Sequence, residues 1–163
     1  MIEIPKTLEV KEFNQHAVSS DFTLQNLNIN QFILNTTSGD CTIKNSKFED
    51  ARWNTVSGDL EASDLSITNL VISMVSGDLK LNQVTIKSDF SLSTVSGDAK
   101  VEDSKAETVN MNTVSGDLDA KEFYMQSIKF KSVSGDCTIT NKEKTPINIL
   151  RSHSVSGEIR IKA

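Results

Sequence analysis

VSGDLEASDLSITNLVISM, residues 56–74, is one copy of a unit that recurs along the whole 163-residue chain. Every glycine of the chain lies in the Ser-Gly-Asp or Ser-Gly-Glu step of this unit: Gly39, Gly58, Gly77, Gly97, Gly116, Gly135 and Gly157. Successive glycines are 19, 19, 20, 19, 19 and 22 residues apart, and the degenerate copy VSSDF at 18–22 places Ser20 nineteen residues before Gly39. A fixed period near 20 residues is typical of a solenoid, in which each repeat stacks on the next.

The spacing of apolar residues within this unit predicts strands rather than helices. Val56, Gly58 and Leu60 are two residues apart, which is the period of a strand with one buried face. Gaps of three residues interrupt the alternation before Leu65 and before Leu70 and therefore mark corners. We expect three short strands and three corners per unit, with the valine, glycine and leucine of the motif facing inward and its serine and aspartate facing outward.

The sequence thus predicts an all-β protein, a single-stranded parallel β-solenoid (β-helix) of about seven coils, each with 19–20 residues and three short strands. In this interpretation residues 1–163 form one domain. Residues 1–17 are a partial opening coil, 18–154 are seven full coils, and 155–163 are a partial closing coil.

Two irregularities of the period are predicted to lie at corners, where an insertion is least disruptive. One coil has an extra residue at Lys87-Ser88-Asp89, and the polar stretch NKEKTP at 141–146 lengthens the last full coil. Neither end shows an amphipathic helix that would cap an open strand edge. We therefore expect either a segment of a longer protein or end-to-end association of copies.

The acidic residue of the motif is the strongest candidate for a functional position. Stacked coils would align these carboxylates in one outward column: Asp40, Asp59, Asp78, Asp98, Asp117 and Asp136, continued by Glu158. Neighbouring charges about 4.8 Å apart repel by about 1 kcal/mol even in water, so the column needs compensation. Either the carboxylates accept backbone hydrogen bonds as part of the scaffold, or they bind a row of cations such as Ca²⁺. The nonapeptide of calcium-binding β-rolls is absent, and an integrin-type tripeptide is disfavoured because Ser-Gly-Asp recurs at a structural period.

Other residue types offer no catalytic or metal-binding arrangement. Cys41 and Cys137 occupy the slot of leucines in other coils, about 24 Å apart by strand spacing, and are expected to be buried thiols rather than a disulfide. His16 and His153 are predicted to lie at opposite ends, with His153 exposed near a corner, and Trp53 is predicted to lie in the core. The corners are short and show no distinct acid and base, so we expect no enzyme and no cofactor.

Composition limits the partners. The net charge is −5 with no basic block, which argues against nucleic acid, and no stretch approaches the about 20 apolar residues of a membrane span. No signal peptide is visible in MIEIPKTLEVKEF. A partial column of threonines precedes the motif, but Met74 and Ser132 interrupt it, so an ice-binding surface is disfavoured: Thr36, Thr55, Thr94 and Thr113.

Tandem TVSGDL and VSGDA units, preceded by IEIPKTLEV, resemble the adhesin-type β-strand-repeat domain of bacteria, a domain of unknown function. The resemblance spans nearly the whole chain and implies a β-solenoid on an envelope or secreted protein, with no catalytic residues. It is also similar to the C-terminal part of some envelope-stress regulators that respond to cell-wall antibiotics. Two functions follow: a non-enzymatic surface or adhesion module with an unknown protein or surface ligand, or a regulatory module that binds another protein or a cationic peptide.

Overall fold

The protein, seen in a computed structural model, is described for residues 10–143 and 146–162. Within these ranges it contains twelve strands and no helix, and all strand pairs are parallel within one twelve-stranded sheet that winds through about eight turns. The predicted all-β parallel solenoid is confirmed. Residues 1–9 of the predicted opening coil lie outside the described part, as do residues 144, 145 and 163. The strands are β1 (Val10–Ser19), β2 (Phe22–Gln25), β3 (Asn28–Ser38), β4 (Cys41–Thr55), β5 (Leu60–Met74), β6 (Leu79–Ile86), β7 (Asp89–Ser96), β8 (Ala99–Ser115), β9 (Leu118–Ser134), β10 (Cys137–Thr140), β11 (Asn148–Ser156) and β12 (Ile159–Lys162).

The middle coils each have three strand segments, as the alternation predicts. Along β4 and β5, residues 41–44, 46–48 and 50–55 pair with residues nineteen positions later, whereas Asn45 and Glu49 have no partner in the ladder. These two positions are therefore corners. The third corner is the Val-Ser-Gly-Asp stretch that joins one coil to the next, and we call it the motif corner.

The corner occupied by Asn45 adopts a left-handed backbone conformation in successive coils. Asparagine and aspartate tolerate this conformation better than most side chains, and four of the six residues at this corner are of these types. Because this one residue leaves the strand, the apolar pattern has a gap of three residues there. The residues with φ between 48° and 57° are Asn26, Asn45, Asp64, Gln83, Asp103 and Glu122.

The single inserted residue lies where the sequence places it. Ile67 of β5 pairs with Ile86, nineteen residues later, whereas Leu70 pairs with Phe90, twenty residues later. The extra residue therefore falls at the corner 87–89 and leaves the segments on either side in register.

The interior is filled by stacked columns of apolar side chains. Phe32 stacks on Phe13 with ring centroids 5.2 Å apart and packs against Phe48 and the edge of Trp53. Trp53 is 1% exposed, and both cysteines are buried and free, so the core predictions for these residues are confirmed. With the interior filled by side chains, any ligand contact falls to the outer faces and corners.

Two of the polar side chains that enter the core, Ser46 and Asn141, form hydrogen bonds with backbone groups. The Ser46 hydroxyl donates to the carbonyl of Lys44 and accepts from the amide of Leu27, at 2.8 and 3.0 Å. In the last coil the Asn141 side chain accepts from Phe123 N at 2.9 Å and donates to Phe123 O at 3.0 Å. An amide side chain thus takes over the hydrogen bonds that a further strand segment would make.

The seventh predicted full coil differs from the others. Within its described residues β10 is followed directly by β11, without a strand over the second segment, and β11 has a register shift between Ile149 and Arg151. Ile149 and Leu150 are consequently exposed. Among the described residues between Thr140 and Asn148 there is no strand, so this coil lacks its second strand segment instead of only having a longer corner.

Candidate binding surface at the motif corner

The valine of the motif faces solvent, and the prediction that it faces inward is wrong. Val56 and Val75 are 48% and 47% exposed, whereas Thr55 and Met74, the residues just before them, are buried. The motif corner therefore spans four residues, and Leu60 returns the chain to the core. The leucine follows the valine at an even offset of four positions, so the spacing across the corner matches that of an uninterrupted alternation.

The same displacement explains the threonine column. The side chains that precede the motif point into the core, so no flat threonine array faces solvent: Thr36, Thr55, Thr94 and Thr113 are 5–7% exposed. Thr36 and Thr55 each donate a hydrogen bond to the carbonyl of the motif serine two residues later. These hydroxyls belong to the corner scaffold.

The glycines are required by the stacking of one coil on the next. A Cβ at Gly77 would lie 2.3 Å from the carbonyl oxygen of Gly58, and Gly77 has a φ of +110°. Both facts exclude a side chain at this position. The close approach is to the glycine of the preceding coil and not to the opposite wall of the solenoid. Ser20 stands first in the column, and the position nineteen residues earlier is outside the described part.

The acidic residues form a directional hydrogen-bond ladder. Oδ1 of each aspartate accepts a hydrogen bond from the backbone N–H of the acidic residue one coil later, at 2.7–3.1 Å. We call these residues the carboxylate row: Asp21, Asp40, Asp59, Asp78, Asp98, Asp117, Asp136 and Glu158. Asp21 was missed from the sequence because its copy lacks the glycine, although its place before Phe22 is the signal that could have found it. The geometry supports the scaffold interpretation of the aspartates.

The side chains of the carboxylate row face solvent. All its members are exposed, and among the ion pairs of the described residues only the one between Glu158 and Arg160 involves the row. The Arg160 guanidinium donates to Glu158 and lowers the pKa of that carboxyl. No group of three or more His, Cys, Asp or Glu side chains able to hold a metal ion occurs within 10–143 and 146–162, so the row offers no clustered cation site there.

Within residues 10–143 and 146–162, the other titratable candidates are one carboxylate–phenol pair, two buried thiols and two exposed histidines. The Tyr124 hydroxyl donates to Glu122 at 2.6 Å and lowers the pKa of that carboxyl. Burial raises the pKa of Cys41 and Cys137 to about 12, which suppresses the thiolate. His16 in β1 and His153 in β11 are both exposed and stand at opposite ends of the sheet.

Beside the valines the surface is polar and uncharged over several coils. The Asn54 side chain donates to Asn35 at 2.7 Å, and these residues with Ser73 line a shallow groove of about 220 Å³ next to Val56 and Val75. An exposed apolar row thus separates a neutral polar face from the carboxylate row.

The described residues include no helix long and apolar enough to span a membrane. In comparisons with known proteins, the family model described as Toastrack DUF4097 matches residues 1–163. No curated protein and no solved structure matches the chain.

Proposed function

This chain belongs to the Toastrack DUF4097 family, whose function is unknown, and from that premise we propose that it is a non-enzymatic binding scaffold on the bacterial cell surface or envelope, of the adhesin type. The observation that carries the proposal is the row of equivalent motif corners, one per coil, at a spacing of about 4.8 Å. Such a row presents the same exposed groups many times on a rigid support. Its described titratable groups pair no acid with a distinct base, which favours recognition over chemistry.

A repeated surface suits a long or repetitive ligand. Several coils can contact it at once, and each added contact acts at high effective concentration once the first has formed. The filled interior and the backbone ladder limit local rearrangement, so little ordering of the scaffold opposes binding.

The test is a pull-down from a bacterial envelope extract with the protein immobilised. The variant carries Asn for Asp in the carboxylate row, and the matched control carries Gln at the exposed Lys80, Lys100 and Lys121. We expect the wild type and the lysine control to retain a component of the extract that the asparagine variant loses. Equal retention by heat-denatured protein, or recovery of the component in chemically altered form, would contradict a binding scaffold.

A second candidate, a regulatory module of envelope-stress signalling that binds a protein or a cationic peptide, is favoured by the exposed aspartates of the carboxylate row, which form no ion pair with another described residue. A helical regulatory domain fused to the same solenoid in the full-length gene would support it. A secretion signal with a cell-wall anchor would instead favour the adhesin.

A further inference from the structure

The motif corners expose an apolar row on the outside of the solenoid. Its members are 47–49% exposed in the middle coils and more than 70% exposed at Val18 and Val155. Single exposed valines are ordinary on a protein surface, but a line of them is not, and from Val56 to Val155 a valine occupies this position in six successive coils. We call this line the valine row: Val18, Val56, Val75, Val95, Val114, Val133 and Val155.

The scaffold does not require valine at this position. Thr37 takes the place of valine in its coil, and its carbonyl accepts a hydrogen bond from Ser57 N at 2.9 Å. The carbonyl of Val56 accepts the equivalent bond from Ser76 N at the same distance. A β-branched residue with a hydroxyl therefore forms the same corner. The backbone hydrogen bonds of the corner do not depend on the second methyl group of valine.

The valine row and the carboxylate row run side by side along the solenoid. Within each motif corner the aspartate follows the valine by three residues, and both side chains face solvent. The outward column beyond the aspartates does not neutralise them, because it mixes both signs: Glu61, Lys80, Lys100, Asp119 and Arg160. The corner therefore offers an apolar line bordered by a line of negative charge.

We propose that this edge is a docking surface for a basic amphipathic polypeptide segment lying along the solenoid axis. Apolar side chains of the segment cover the valine row, and its lysines or arginines meet the free oxygens of the carboxylate row. The inference deepens the binding-scaffold function proposed above and rests on it.

Charge and area favour this occupant over others. A second copy of the chain brings its own carboxylate row to the edge, and a line one side chain wide is narrow for the about 800 Å² per partner of a stable interface. Nucleic acids and anionic lipid surfaces are repelled by the carboxylates. A narrow basic segment matches both the width and the sign of the surface.

The experiment uses two short fluorescent peptides, one of alternating lysine and leucine and one of alternating lysine and serine. Binding to the full chain is followed by fluorescence anisotropy at low and at high salt. In the first variant all seven valines become threonine, as at Thr37. In the second, the row aspartates become asparagine, which keeps an oxygen to accept the ladder hydrogen bond but removes the charge. Circular dichroism and urea unfolding verify that both variants are folded.

We expect the wild type to bind the lysine–leucine peptide at least about tenfold more tightly than the lysine–serine peptide. The threonine variant loses that preference, and the asparagine variant loses the salt dependence together with most of the affinity for both peptides. Equal affinity of the wild type for both peptides, or an unchanged preference in the folded threonine variant, would overturn the docking surface. The scaffold function would survive such a result if the envelope pull-down still succeeds, because another face would then carry it.

Discussion

Replacing Gly77 with alanine tests the stacking of the motif corners most directly. The new Cβ would lie 2.3 Å from the carbonyl oxygen of Gly58, and a backbone with φ near +110° disfavours any L side chain by about 1–3 kcal/mol. Backbone cannot yield as a flexible side chain would, so the corner has to open. Opening weakens the bonds from Asp78 N to Asp59 Oδ1 and from Ser76 N to Val56 O, at about 1 kcal/mol each. The expected loss is therefore about 3–5 kcal/mol, a large share of a typical stability of 5–15 kcal/mol.

Urea unfolding, followed by circular dichroism and by the fluorescence of the only tryptophan, Trp53, measures this loss. Two controls bracket the result. Ser20→Gly, at the first position of the column, should change stability by less than about 1 kcal/mol. Gly157→Ala, which makes an equivalent contact in the last turn, should cost less than Gly77→Ala because an end coil can fray alone. A Gly77→Ala protein within about 1 kcal/mol of the wild type would refute the stacking argument.

Three further predictions concern the ladder, the core serine and the thiols. Asp78→Ala should lower the free energy of unfolding by about 1 kcal/mol, because the amide of the next coil loses its acceptor, whereas Asp78→Asn should be near neutral; equal effects in urea unfolding would contradict the ladder. Ser46→Ala should cost about 1–3 kcal/mol by the same measurement, since it leaves the buried amide of Leu27 without its hydrogen-bond acceptor, and a neutral result would show that the corner re-forms without the hydroxyl. Cys41 and Cys137 should resist a thiol reagent at neutral pH until the protein unfolds. Because their pKa values rise from 9.0 to about 12 on folding, stability should fall as the pH rises from about 9 toward 12, and a double alanine variant that keeps the same alkaline slope would disprove this cause.

The fold could be predicted from sequence because its information is periodic and local. The spacing of glycines sets the coil length, and gaps of three residues locate corners such as Asn45, where the chain leaves the strand conformation for one residue. The extra residue at 87–89 was placed correctly for the same reason: the apolar pattern resumes in register on either side of it.

The orientation of the valine at the motif corner could not be predicted, because the residue spacing across the corner is the same as that of a strand. Leu60 lies four positions after Val56, an even offset, so alternation alone assigns both residues to one face. What places the valine outside is the hydrogen bonding of the corner backbone to the preceding coil, a contact between residues about twenty positions apart. The interaction of Asn141 with Phe123 could not be predicted from the sequence either. The period predicts a strand segment at this place, and the Asn141 side chain forms the hydrogen bonds instead.

The carboxylate row also constrains how the molecule can change in size. Each aspartate accepts a hydrogen bond from the backbone N–H of the acidic residue one coil later. A deletion that removes part of a coil therefore places the carboxylate and that N–H on different faces. Removal or addition of an entire coil leaves every such pair intact and alters only the length of the exposed edge. The length of such a protein can therefore change by whole coils, while the hydrogen bonding of each motif corner stays the same.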